Sequence, residues 1–125
     1  MQELQAGATT IEVKRLLTFY GRPLIYDHIV VPAAPFKGLN RAKVEESNGS
    51  MYSMYESQFG IRMIRAEERI KAVAADAEVA KALGLKEGYP LLSIERVSFT
   101  YGDKPMEWRF GLCLTDDHHY MSELE

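Results

Sequence analysis

Residues 82–109 read ALGLKEGYPLLSIERVSFTYGDKPMEWR, and this stretch decides the fold. It ends a helix, runs two strands through one hairpin and sets an acid and a base on one strand face. Gly84 lies just past a short helical pattern, where a helix end often needs positive φ. LLSIERVSF and MEWRFGLCL are rich in β-forming residues, and Gly102-Asp103 between them is a turn signal. In the second run Trp108, Phe110, Leu112 and Leu114 alternate with Glu107, Arg109, Gly111 and Cys113. The first set predicts a core face and the second a face carrying charge.

Working outward, residues 10–20 predict a strand with Ile11, Val13, Leu17 and Phe19 on one face. Residues 23–31 predict its hairpin partner, with Ile25, Ile29 and Val31 on one face. Residues 32–48 hold two prolines, a glycine and several polar residues, and predict a long loop. Residues 50–58 predict a short helix started by Ser50 and stopped by Gly60. Residues 61–73 alternate Ile64, Ala66, Ile70 and Ala72 with Arg65, Glu67, Arg69 and Lys71, the pattern of a half-buried strand. Asp76 is placed to cap a helix containing Val79 and Leu83. Strands in hairpin succession with inserted helices predict an α+β domain, an antiparallel sheet with helices packed against it.

A chain of 125 residues is one domain with room for a core. The net charge of −3 makes it a poor nucleic-acid binder by itself. The single cysteine, Cys113, forms no internal disulfide and fits a reducing compartment; a lone strand cysteine is expected as a small core residue. No apolar run approaches the roughly 20 residues that span a bilayer, and the first residues lack the apolar core of a signal peptide. The expected location is the cytoplasm, with no membrane partner.

Two charges stand on apolar faces, Arg15 among Ile11, Val13, Leu17 and Phe19, and Asp27 among Ile25, Ile29 and Val31. Such charges are costly unless paired. If both faces enter one core, a three-residue loop of Tyr20, Gly21 and Arg22 sets Phe19 against Pro23 and Arg15 against Asp27. The pair is then either a structural ion pair or the polar floor of a pocket. Ser50 is placed as a helix N-cap, and a helix start also attracts anions. Tyr52 and Tyr55 fit either a cavity wall or the core. Glu107 and Arg109 fit a solvated face or a site, and Arg96 is expected as a partner for a carboxylate. The run TDDHHY suggests a metal only weakly, because neighbours on an extended chain point opposite ways and no second ligand cluster exists. No cofactor and no metal are expected.

The ordered set of a small-residue helix, Leu83-Gly84-Leu85, a glycine two residues before Pro90, the Ile94-Glu95-Arg96 strand, Gly102-x-x-Pro105 and Met106-Glu107-Trp108 resembles the UTRA domain. This is the effector-binding half of HutC-type GntR transcription regulators. VKRLLTFYGRPLIYDHIVVP at 13–32 is similar to its first hairpin. FKGL at 36–39 is similar to its Phe-Pro-Gly-Leu loop, with Lys37 where proline is usual. Residues 49–85 are similar to its helix, long strand and second helix.

The resemblance implies a chorismate lyase-like fold with a ligand pocket between sheet and helices, a homodimer, and residues 10–125 as the sensing domain after a leader at 1–9. The family's winged helix has no room here, so DNA would be met only through an attached domain; the chain is either a sensor excised from a longer regulator, the expected case, or a natural stand-alone module. It also implies a small anionic metabolite as effector and a ligand site of Arg15, Asp27 in place of the usual glutamate, Ser50 and Glu107, to which the residues themselves add Tyr52, Arg109 and His119 as candidates. Leu17 stands where the family has a second arginine, which argues against a phosphorylated sugar. Leu114, Thr115 and His119 depart from the family's usual residues near the pocket mouth, while Asp117 is retained. The alternative is an enzyme similar to chorismate lyase acting on a small anionic substrate. The chain has no recognisable nucleophile–base pair, and no catalytic residue is expected.

Overall fold

Tyr20 and Gly21 alone turn the first hairpin, with φ of 53° and 77°, the signs that let a two-residue turn follow the twist of its strands. A computed structural model describes residues 9–47 and 50–117. Its first two strands are β1 (Thr10–Phe19) and β2 (Arg22–Pro32). The expected three-residue loop is therefore corrected, since Phe19 pairs with Arg22. A bulge after Leu17, which pairs with Ile25 while Thr18 pairs with Pro23, restores the register, so Arg15 still meets Asp27. The extra residue, Leu24, is buried in a core.

The chain continues through α1 (Arg41–Glu46), α2 (Met51–Phe59), β3 (Arg65–Ala74), α3 (Ala77–Leu83), β4 (Pro90–Thr100) and β5 (Lys104–Cys113). The sheet is antiparallel in the order β1-β2-β5-β4-β3. Helix α1 replaces part of the expected long loop; Asn40 caps it by accepting from the Lys43 amide at 2.9 Å. Asp76 caps α3 in the same way, accepting from the Val79 amide at 2.9 Å. Gly84 closes α3 with φ of 70°, as its place in the sequence predicts.

Helices cover both faces of the sheet. On one face α2 lays Met51, Met54 and Tyr55, spaced i, i+3, i+4, onto Val13, Ile29 and Val31. Phe36 meets Tyr55 edge-to-face at 4.9 Å. On the other, Val79, Ala80 and Leu83 of α3 pack with Leu24, Leu91 and Leu114. Burial of each large apolar side chain stabilises the fold by about 1.5–3 kcal/mol.

The alternation in β3 proves not to signal half-burial. β3 is an edge strand, and Ile64 and Ile70 are 49% and 50% exposed. The charged face of β5 is also corrected: α2 covers one end of it, and Glu107 is fully buried.

Candidate functional site

Strand pairing aligns the α2-side face of the sheet into rungs two residues apart, about 7 Å along the strands. One rung runs Val13, Ile29, Arg109, Arg96. The next runs Arg15, Asp27, Gly111, Ile94, and the third runs Leu17, Ile25, Cys113, Leu92. Helix α2 stands over the sheet at the first rung and leaves the second and third open.

The opening is a hollow of about 160 Å³ whose walls include Arg15, Asp27, Arg96, Arg109 and Gly111. A second hollow, about 180 Å³, is lined by Ser50, Met51, Tyr52, Ser53, Arg96 and Arg109 at the start of α2. Arg96 and Arg109 line both, so the two spaces meet at these guanidinium groups. Together the walls present three guanidinium groups and one carboxylate.

Each arginine is held in place by an acid. Arg15 Nε donates to Asp27 Oδ2 at 3.0 Å, and both side chains are largely buried. Arg96 Nε donates to Glu68 Oε2 at 2.9 Å, the carboxylate partner its sequence position suggests. Arg109 Nη2 donates to Glu107 Oε2 at 2.9 Å. A guanidinium has five N–H donors, so these bonds leave others for a ligand. Arg109 Nε is buried and, among the described residues, has no hydrogen-bond partner. Burial opposes the charge on Arg109, but the Glu107 carboxylate outweighs it and the pKa rises. Burial also opposes the charge on Arg96; Tyr52 and Glu68 reverse the balance and its pKa rises too.

Glu107 lines neither hollow. It accepts from Tyr52 Oη at 3.1 Å, Tyr55 Oη at 2.6 Å and Arg109, tying α2 to β5. Tyr52 also lies 2.6 Å from Ser98 Oγ and lines the second hollow, whereas Tyr55 is core. Ser50 sits at the N-cap of α2 but its side chain makes no capping bond. Cys113 is half-buried and lines the first hollow rather than the core, and burial pushes its thiol pKa up, with Asp27 adding to the effect.

Five of the seven expected residues thus line the two hollows: Arg15, Asp27, Ser50, Tyr52 and Arg109. Glu107 stands behind them, and His119 lies outside the described residues. Arg96 lines both hollows without having been singled out as a site residue. Its position opposite Arg109 across the β4–β5 ladder is the signal that pairing of the two strands would have given. Among the described residues no group of three or more His, Cys, Asp or Glu could hold a metal.

A five-stranded antiparallel sheet with a cationic hollow beside a covering helix defines an α+β domain shaped for a small ligand. The UTRA domain family matches residues 1–119, and the chain belongs to that family. Among solved structures it is similar to the ligand-binding domain of a candidate GntR-family transcriptional regulator from Bordetella bronchiseptica. That likeness has 43% identity and a TM-score of 0.88, and covers 98% of this chain and 76% of that one. The crystal structure of PhnF from Mycobacterium smegmatis is similar with 25% identity and a TM-score of 0.82, over 98% of this chain and 53% of that one.

Among curated proteins, the transcriptional repressor PhnF of Mycolicibacterium smegmatis is 28% identical over 90% of this chain and 45% of its own length. An HTH-type transcriptional regulator of Mycobacterium tuberculosis is 43% identical over 45% of this chain and 21% of its own. The chain thus spans less than half the length of these curated relatives. Its relatives are transcription regulators, and no helix among the described residues is long and apolar enough to cross a membrane.

Proposed function

We propose that this domain binds a small anionic metabolite and that binding alters the DNA affinity of an attached winged helix. The observation that carries this reading is the junction of the two hollows at Arg96 and Arg109, beside the start of α2, where the Ser50 side chain makes no capping bond. Guanidinium groups and free helix amides both favour an anion. Arg15, Asp27, Ser50, Tyr52 and Arg109 form the ligand walls, and Glu107 holds Arg109 and Tyr52.

The same reading makes the whole protein a cytoplasmic homodimer of the HutC subfamily, with this domain a sensor and not an enzyme. Ligand shifts such a regulator only through unequal affinity for its two arrangements. A thermal-shift panel of phosphates, sugar phosphates and organic acids tests the binding step. A ligand at a hundred times its Kd stabilises the fold by about 2.7 kcal/mol. Arg96→Gln should remove the shift while leaving the free domain folded, because Glu68 keeps access to water. A panel without any shift, or an unchanged shift in Arg96→Gln, would refute the proposal. Incubation with chorismate tests the enzyme alternative, and pyruvate release at enzymic rates would replace the sensor reading.

A further inference from the structure

We infer that the anion this site takes is an amphipathic organic acid, one carboxylate on an apolar body, in preference to a sugar phosphate. The inference rests on the anion-binding reading above and adds the class of ligand. The rungs grade from charge to oil along the strands. Arg109 and Arg96 occupy the rung nearest α2, where the second hollow adds the helix start and no acid. The middle rung carries Arg15 beside Gly111 and Ile94, with its partner Asp27 at 3.0 Å also in the hollow wall, whereas Glu68 and Glu107, the acids paired with Arg96 and Arg109, line neither hollow.

The far rung offers the first hollow only Leu17, Ile25 and Cys113. One rung spacing is about 7 Å, the reach of a carboxylate with a short chain or one ring behind it, so such a body crosses to the middle rung and its end abuts the side chains of the far one. A carboxylate seated at Arg109 and Arg96 therefore extends its body over Gly111 and Ile94 toward Leu17 and Ile25. The apolar body gains by leaving water there. The hydroxyl groups of a sugar that pass Arg15 and Asp27 would be buried against Leu17, Ile25 and Cys113, which accept or donate almost nothing, at a cost of about 1–3 kcal/mol for each one unsatisfied. The raised pKa of Cys113 keeps its thiol neutral and adds no charge to that wall.

Isothermal titration of the 125-residue chain with acetate, hexanoate, trans-cinnamate and glucose 6-phosphate tests the inference. Hexanoate or cinnamate should bind at least tenfold more tightly than both acetate and glucose 6-phosphate. Leu17→Gln should weaken the better acid at least fivefold and leave acetate unchanged, since Leu17 lies at the tail end and is partly exposed. Tighter binding of glucose 6-phosphate than of either acid overturns the ligand class and leaves the anion-binding reading intact. Equal affinity of acetate and hexanoate overturns it as well, because the tail would then contribute nothing. Failure of all four probes overturns the ligand class, and only an empty result across the wider phosphate and acid panel removes the anion reading with it.

Discussion

Glu107 holds Arg109 from two residues earlier on the same face of β5, with Arg109 Nη2 2.9 Å from Glu107 Oε2. The acid is fully buried and the base is the wall shared by both hollows. Removing one partner of a buried pair leaves the other uncompensated, which costs about 3–5 kcal/mol. Glu107→Ala should lose stability in that range, measured by urea unfolding, because Tyr52 and Tyr55 lose their acceptor as well. A loss under about 1 kcal/mol would mean that α2 is held by apolar contacts alone.

Gly111 keeps the hollow open. It lies on the middle rung, and a Cβ built there would meet Asp27 Oδ1 at 3.7 Å, an ordinary contact. Gly111→Val therefore fits the backbone, suits a strand and occupies ligand space without removing a charge. The expected result is a folded domain, with Tm within a few degrees of the parent, that shows no ligand-induced shift in the panel. Retained ligand binding would place the ligand elsewhere.

Gly84 ends α3 in the left-handed region at φ of 70°, with open space where a side chain would go. The penalty for a substitution is thus backbone strain, not a clash. Gly84→Val should cost about 1–2 kcal/mol, and Gly84→Asn less, since asparagine tolerates that region. Equal Tm values for the two variants would contradict this account.

Tyr55 predicts an alkaline limit to stability. Burial first, then the Glu107 carboxylate, raises its pKa far above the ordinary 10.0. Below pH 10 the folded and unfolded chains both hold this proton. Above it the unfolded chain releases the proton and the folded chain keeps it, so stability falls with rising pH. One such group gives a slope of about 1.4 kcal/mol per pH unit. Urea unfolding between pH 10 and 11 should show Tyr55→Phe losing less stability than the parent by about 1 kcal/mol, because the unfolded tyrosine is only half ionised at the start of that range. Parallel curves would mean that Tyr55 ionises normally in the fold.

The sequence makes the Arg15–Asp27 pairing legible because two charges on apolar faces constrain one register. The turn beneath them is not legible in the same way, since a bulge at Leu24 with a two-residue loop gives the same pairing beyond it as a three-residue loop. Helix α1 hides in RAKVEE because Val44 is its only buried residue, too little for a periodic signal. The alternation in β3 is present in the sequence, yet an edge strand with no helix over it buries neither face, and strand order is not a local property. The same limit concealed Arg96, whose role follows from β4 lying beside β5.

Arg15 and Asp27 line the hollow and also brace it, so a single substitution there would confuse two effects. Arg15→Ala leaves Asp27, only 3% exposed, without its partner. It should cost up to about 3 kcal/mol, moderated by the opening beside it. Replacing both members with apolar residues of similar volume removes the uncompensated charge. Arg15→Met with Asp27→Leu should therefore be more stable than Arg15→Ala and lie within about 1 kcal/mol of the parent by urea unfolding. A double variant less stable than the single would show that the pair contributes net stability through its charges. The stable double variant is also the protein in which to measure ligand affinity. Weakened binding there, with the frame restored, is the expected result and assigns the pair to the ligand wall; parental affinity would leave it a brace and nothing more.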